Sequence, residues 1–173
     1  MNEVWLVTGV SSGFGRAITE AAVAAGDIAV AAARRAAPLD DPVAAHPYQV
    51  EALPLVVTDI AASDPRSTAW PSGTAASMSW SATPDEDGGA IEETTDAELR
   101  HLMDLHFFGP AALIRAALPH MRHRGSGPVV QLTSVGGRYT FAGVGAYCGT
   151  KFAREGLSPR PWPSRSPRTE YGC

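Results

Sequence analysis

Tyr147 and Lys151 stand four residues apart in Tyr147-Cys148-Gly149-Thr150-Lys151, and Lys151 is the only lysine in the chain. On a helix this spacing puts both side chains on one face. A free phenol, with a pKa of about 10, is a poor base at neutral pH. An ammonium held close favours the phenolate and makes proton exchange feasible there. An incidental i, i+4 pair has the same spacing, but the single lysine falling at this position argues for chemistry. Ser134 lies thirteen residues before Tyr147. Its hydroxyl can hold a carbonyl oxygen, although a serine at a strand end is also a common structural feature.

A second group of residues suits an anion. Thr8-Gly9-Val10-Ser11-Ser12-Gly13-Phe14-Gly15 follows an apolar run, Glu3 to Thr8, and precedes an Ala-rich helical pattern that continues to about Gly26. Gly9 permits a tight exit from a strand, Gly13 lets the backbone approach a pyrophosphate, and Gly15 permits close helix–strand packing. The helix N-terminus then presents free N–H groups to the anion. A glycine-rich turn without a ligand is the plainer reading; the position directly after a buried strand favours the phosphate cradle. The next apolar run, Ile28 to Ala33, ends in Arg34-Arg35, and the nearest acids are Asp40 and Asp41. An acid there would bind the ribose 2′-hydroxyl of NAD, whereas arginine accommodates the 2′-phosphate of NADP. The pair therefore predicts NADP(H) in preference to NAD(H).

These residues need a frame. Further strands are expected over Ala52–Val57 and Pro128–Thr133. Thr95-Asp96-Ala97-Glu98 has capping-box spacing and opens a helix carrying Leu99, Leu102, Met103 and Leu105. The pattern resumes from Pro110 to about Arg124, and a last helix runs from Ala146 to Leu157. Short apolar runs alternating with helices predict an α/β fold, a Rossmann-like doubly wound parallel sheet. In such a sheet ligands sit at the carboxyl ends of the strands, so Ser134 is expected to face the same cleft as Gly13.

Composition sets the outer limits. The chain has 173 residues, 45% hydrophobic and 18% charged, with mean hydropathy −0.06. That suffices for a globular core and suggests one domain. A net charge of −4 gives no broad basic surface, so nucleic acid is not an expected partner. No apolar run reaches about 18 residues, so no membrane span is expected. The first residues lack a signal-peptide pattern, and two cysteines suit a reduced, cytoplasmic chain. No metal site is assigned. Two stretches stand apart: 64–87 is irregular and rich in Ser, Thr, Pro and Trp, and the Pro/Arg-rich tail 158–173 reads as disordered.

Together, Thr-Gly-Xaa3-Gly-Xaa-Gly at 8–15, Ser134 and Tyr-Xaa3-Lys at 147–151 resemble the short-chain dehydrogenase/reductase family over residues 3–59 and 88–157. The resemblance implies hydride transfer between a nicotinamide and a small-molecule alcohol or carbonyl. Tyr147 would be the acid/base, Lys151 would hold the ribose and tune the phenol, and Ser134 would position the substrate oxygen. Gly9, Ser11, Ser12, Gly13, Phe14, Gly15, Arg34 and Arg35, with Tyr147 and Lys151, would bind the cofactor. In an intact relative the two helices around 96–123 and 146–157 would form a homo-oligomer.

The sequence departs from the family's pattern in four places. An Asn-Asn-Ala-Gly element after the fourth strand is absent. The asparagine that completes the family's proton relay is His106 here, which can be a proton shuttle or a helix-packing residue. The family's adenine-contacting aspartate falls on Val56. The chain also stops before a sixth strand. Back-translation of Ala76–Asp85, shifted one nucleotide earlier, can read Ile-Asp-Val-Leu-Val-Ser-Asn-Ala-Gly; the same shift over Pro159–Cys173 can read an amphipathic helix and a strand start. A frame shift in the gene or its sequencing is thus expected. It leaves a sheet with its strand 4 segment scrambled and strand 6 onward missing, and a chain impaired in activity. The alternative is a non-catalytic nucleotide-binding remnant or inactive relic.

Overall fold

A computed structural model describes residues 3–35, 39–59, 74–78, 89–124 and 129–157. The tail 158–173 and most of the irregular stretch 64–87 lie outside the described residues. Contacts divide the chain into two compact units: Met1–Thr83 with Phe108–Leu132, and Pro84–Phe107 with Thr133–Cys173.

The first unit carries the sheet. Strands β1 (Val4–Thr8), β2 (Ile28–Ala33), β3 (Val50–Pro54), β4 (Thr74–Met78) and β5 (Val129–Gln131) pair in parallel in the order β3-β2-β1-β4-β5. Helices α1 (Gly13–Ala24) and α2 (Asp40–Ala45) belong to this unit. In the second, α3 (Asp96–Met103) runs into a π turn, Asp104–Phe108, and α4 (Gly109–Arg124) continues the chain back into the first. A 3₁₀ turn (Val135–Gly137) and α5 (Gly145–Glu155) complete the second unit.

Side-chain alternation explains why β1 and β2 read as unbroken apolar runs. On one face Val7, Ala29, Ala31 and Ala33 pack with Val10, Val23, Leu39 and Val50 against Ile18 and Val43. On the other, Leu6, Val30 and Ala32 pack with Leu55 and Leu113 against Ile114 and Val129. A parallel sheet buried on both faces needs apolar residues at every position. β3 is different: it lies at an edge, and Glu51 and Ala52 are exposed. Its register, Ala29 opposite Val50, starts it two residues before the expected Ala52. The mixed polarity of Gln49-Val50-Glu51 hides that start. α2 was not expected from the sequence; Asp40 and Asp41 in its first turn complement the helix N-terminus, and Pro42 sits early enough to be tolerated.

One sequence expectation is corrected here. The scrambled strand-four segment was expected to leave β1 and β5 without their shared neighbour, yet Thr74–Met78 forms β4 between them. Its sequence, Thr-Ala-Ala-Ser-Met, has little strand propensity. The unpaired N–H and C=O groups of two flanking strands supply what propensity lacks. Among the described residues no strand lies beyond β5.

The capping box at α3 forms as the spacing predicts. Thr95 Oγ1 accepts from the Glu98 N–H at 3.2 Å, and Glu98 Oε2 accepts from the Thr95 N–H at 2.7 Å. The break in the helical pattern before Pro110 becomes the π turn. Pro110 has no N–H for the carbonyl four residues back, so the ladder widens there.

At the amino ends of the strands, Asp27 accepts from the Glu3 N–H and from Trp5 Nε1, each at 2.9 Å. Gln49 Nε2 donates to the carbonyls of Val23 and Asp27, at 3.2 Å each. The Trp5 and Glu3 hydrogen bonds hold the Asp27 carboxyl below its ordinary value of 3.8. A carboxyl lowered by folding stabilises the fold above its unfolded pKa, and that contribution is lost as pH falls through the folded one. Asp27→Asn is therefore expected to lower the thermal midpoint at pH 7 by about 2–4 °C. The difference from wild type should shrink as pH falls from 5 to 3, as read by circular-dichroism melts.

Candidate active site

In the first unit, the glycine turn leaves β1 at Gly9 (φ 71°) and enters α1 at Gly13 (φ 57°). Both conformations suit glycine and strain other residues. A Cβ on Gly15 would lie 2.4 Å from the Gly9 carbonyl oxygen, so the helix start and strand exit touch backbone to backbone. Thr19 Oγ1 donates to the Gly15 carbonyl at 2.9 Å and secures this first turn. Ser11, Ser12, Gly13 and Phe14 are exposed, and no acidic residue occupies the first turn of α1. The positive helix end is thus left to solvent or an anion. Thr8 pairs with Ala32, so Arg34 and Arg35, both exposed, follow β2 at the same carboxyl edge as this turn. Val56 is 42% exposed just after β3, in the place where the resemblance would put an aspartate.

In the second unit, Ser134 caps the 3₁₀ turn. Its Oγ accepts from the Gly136 N–H at 3.1 Å, which leaves the hydroxyl hydrogen as a donor. The turn packs directly on the tyrosine: a Cβ on Gly136 would lie 3.0 Å from Tyr147 Cε1 and 3.4 Å from Cys148 Sγ. Gly137 has the same closeness to α5, where a Cβ would meet Glu155 Cγ at 3.0 Å and the Lys151 carbonyl at 3.1 Å. An Arg138–Glu155 ion pair at 3.0 Å ties the turn to the end of the helix. Tyr147 is half-buried and Lys151 is buried. The Lys151 ammonium lies over the Tyr147 ring, 5.1 Å from its centroid, within cation–π range.

His106 projects from the π turn into the same cluster. It is fully buried, its Nδ1 is 3.2 Å from Thr150 Oγ1, and its ring meets the Tyr147 ring edge-on at 5.5 Å. Burial, reinforced by the charges of Lys151, Arg154 and His101, pushes its pKa down to about 3. The imidazole is neutral near pH 7. Arg154, three residues beyond Lys151, is also buried; desolvation lowers it to about 10, against an opposing pull from Tyr147.

Ser134, Tyr147, Lys151 and His106 are therefore gathered in one unit. The glycine turn and Arg34-Arg35 share one sheet edge in the other. Sequence reasoning missed Thr150, Arg154 and the paired glycines. Gly136-Gly137, directly after Ser134-Val135, was a readable sign of close approach. Nothing in the sequence marked Arg154 as buried.

The family model for short chain dehydrogenases matches residues 3–160. The chain is similar to a short-chain dehydrogenase from Streptomyces avermitilis, with 52% identity and a TM-score of 0.84 to its crystal structure, over 91% of this chain and 58% of that one. It is similar to Oxidoreductase BOA17 of Botryotinia fuckeliana, 29% identical over 91% of this chain and 58% of the relative. A third likeness is to 3-ketodihydrosphingosine reductase of Bacteroides thetaiotaomicron, 38% identical over 41% of this chain and 26% of that protein. The chain thus spans less than two thirds of each of these relatives. Since the family model spans residues 3–160, a range that holds β1, the glycine turn, Ser134 and α5, the chain belongs to the short chain dehydrogenase family.

Proposed function

We propose that the chain is an oxidoreductase that passes hydride between NADP(H) and a small alcohol or carbonyl substrate. The observation that carries the proposal is the placement of the Lys151 ammonium over the Tyr147 ring, with the Ser134 turn packed against that ring. The glycine turn suits a dinucleotide: its exposed backbone and positive helix end fit a pyrophosphate lying close, and the lack of room for a Cβ at Gly15 keeps the helix start against the strand exit. The backbone of Ser11 to Gly15 would hold that pyrophosphate, and Arg34 and Arg35 would take a 2′-phosphate. When bound, the nicotinamide supplies or accepts the hydride. The Ser134 hydroxyl donates to the substrate oxygen. Tyr147 gives a proton to that oxygen in reduction and takes it in oxidation. Lys151 stabilises the phenolate left behind.

A cytoplasmic setting is part of the proposal: Cys148, the free cysteine among the described residues, is a buried thiol. No described helix is long and apolar enough to cross a membrane. A second reading, nucleotide binding with little turnover, is favoured by β5. That strand leads into Ser134, yet it is three residues long and leaves Val130 40% exposed.

Two experiments test this. Tyr147→Phe should bind NADPH as wild type does, by fluorescence titration, while carbonyl-dependent NADPH oxidation falls at least about 100-fold. Equal turnover in both proteins would remove the proposed chemistry; binding by both and turnover by neither would establish the second reading. Arg34→Ala with Arg35→Ala should weaken NADPH binding about tenfold or more while NADH binding stays within about twofold. An equal loss for both cofactors would reject the assignment of the arginines.

A further inference from the structure

Thr150 sits with its hydroxyl within hydrogen-bond distance of two groups. Its Oγ1 is 2.8 Å from the Tyr147 carbonyl oxygen and 3.2 Å from His106 Nδ1. A carbonyl can only accept, and a hydroxyl has one hydrogen. That hydrogen goes to the Tyr147 carbonyl, so the bond to His106 needs a hydrogen on Nδ1. A neutral imidazole with Nδ1–H keeps its lone pair on Nε2. This is the less favoured tautomer of free histidine in water, and here the order of donors imposes it.

The result is a directed chain, His106 Nδ1–H to Thr150 O–H to the Tyr147 carbonyl, joining the π turn to the first turn of α5. A second contact reinforces it. The rings of His106 and Tyr147 meet at an interplanar angle of 87°, in the edge-to-face arrangement that aromatic pairs prefer. His106 thus grips Tyr147 by its backbone and by its ring. We propose that His106 is a positioning residue that fixes the Tyr147 phenol through Thr150, and that it acts as an Nδ1–H donor rather than as a proton carrier. The role in turnover rests on the function proposed above; the tautomer and the grip do not.

The surrounding charges agree. Lys151 and Arg154 from α5 and His101 from α3 disfavour an imidazolium at this place; among the described residues Tyr147 also meets the ring, and Asp104 is the acid of its own turn. A histidine that changed protonation state during turnover would have to charge beside two buried cations.

Long-range ¹H–¹⁵N spectra of the full chain labelled at its five histidines, with His106 assigned through His106→Asn, read the tautomer directly. The expected result is Nδ1–H at His106, unchanged from pH 8 to pH 5. Nε2–H, or a titration near pH 6.5, would overturn the proposal. Thr150→Val removes the hydroxyl while keeping the shape. It should release the Nδ1–H tautomer and shift the Tyr147 ring resonances, and Thr150→Ser should restore both. Tyr147 resonances indifferent to both substitutions would overturn the proposal even without an activity assay. In the assay, Thr150→Val should lower kcat roughly ten- to hundredfold, with NADPH affinity within twofold and recovery in Thr150→Ser. A wild-type chain with the expected spectra but no turnover would sink the proposed function and leave the positioning chain standing.

Discussion

A buried ammonium held against a phenol is the interaction on which the proposed chemistry depends. Burying a lysine costs solvation, and a partner must offset that cost. The Tyr147 ring is such a partner, one helical turn away on α5. The arrangement requires that α5 begin before Tyr147 and that nothing separate it from the 3₁₀ turn. Both conditions are met through small residues: Gly145 opens the helix, and Gly136 and Gly137 let the turn lie against it. The site is therefore a property of backbone proximity as much as of the reactive side chains.

The same economy of space governs the other unit. After Ile28, β2 is alanine and valine throughout, and its small side chains let α1, α2 and α4 cover both faces of a narrow sheet. Gly15 carries the logic to the helix start, where even a methyl group would strike the Gly9 carbonyl. What emerges at the carboxyl edge is a turn of exposed backbone, with two arginines beside it and no acid in the first helical turn. At the opposite edge Asp27 closes the amino ends of the strands through Trp5 and Glu3.

Much of this was legible in the sequence, for identifiable reasons. β1, β2 and α1 carry the strongest apolar patterns and came out within a residue or two. The α3 cap was readable because Thr95 and Glu98 satisfy each other locally. β4 was not readable: Thr74–Met78 is a strand because its neighbours need one, a condition no local pattern records. α2 was missed because six residues with few apolar positions show no period. Ser134, Tyr147 and Lys151 were singled out by type and spacing, and the fold places them in one unit. His106 was visible but ambiguous, since its protonation depends on burial and on Lys151 and Arg154, which only the fold brings near. Thr150 was passed over because its importance lies in the order of its hydrogen bonds.

The central claim of the proposed function is that Lys151 and Tyr147 work as a pair, the ammonium over the ring of the phenol that exchanges the substrate proton. The most direct measurement is the pH dependence of carbonyl reduction and alcohol oxidation by Lys151→Met beside wild type, each at saturating cofactor. The account predicts that both directions fall at least about 100-fold in Lys151→Met at pH 7, because no ammonium then lies over the Tyr147 ring. A Lys151→Met protein that oxidises alcohol at pH 7 with an unaltered profile would contradict it.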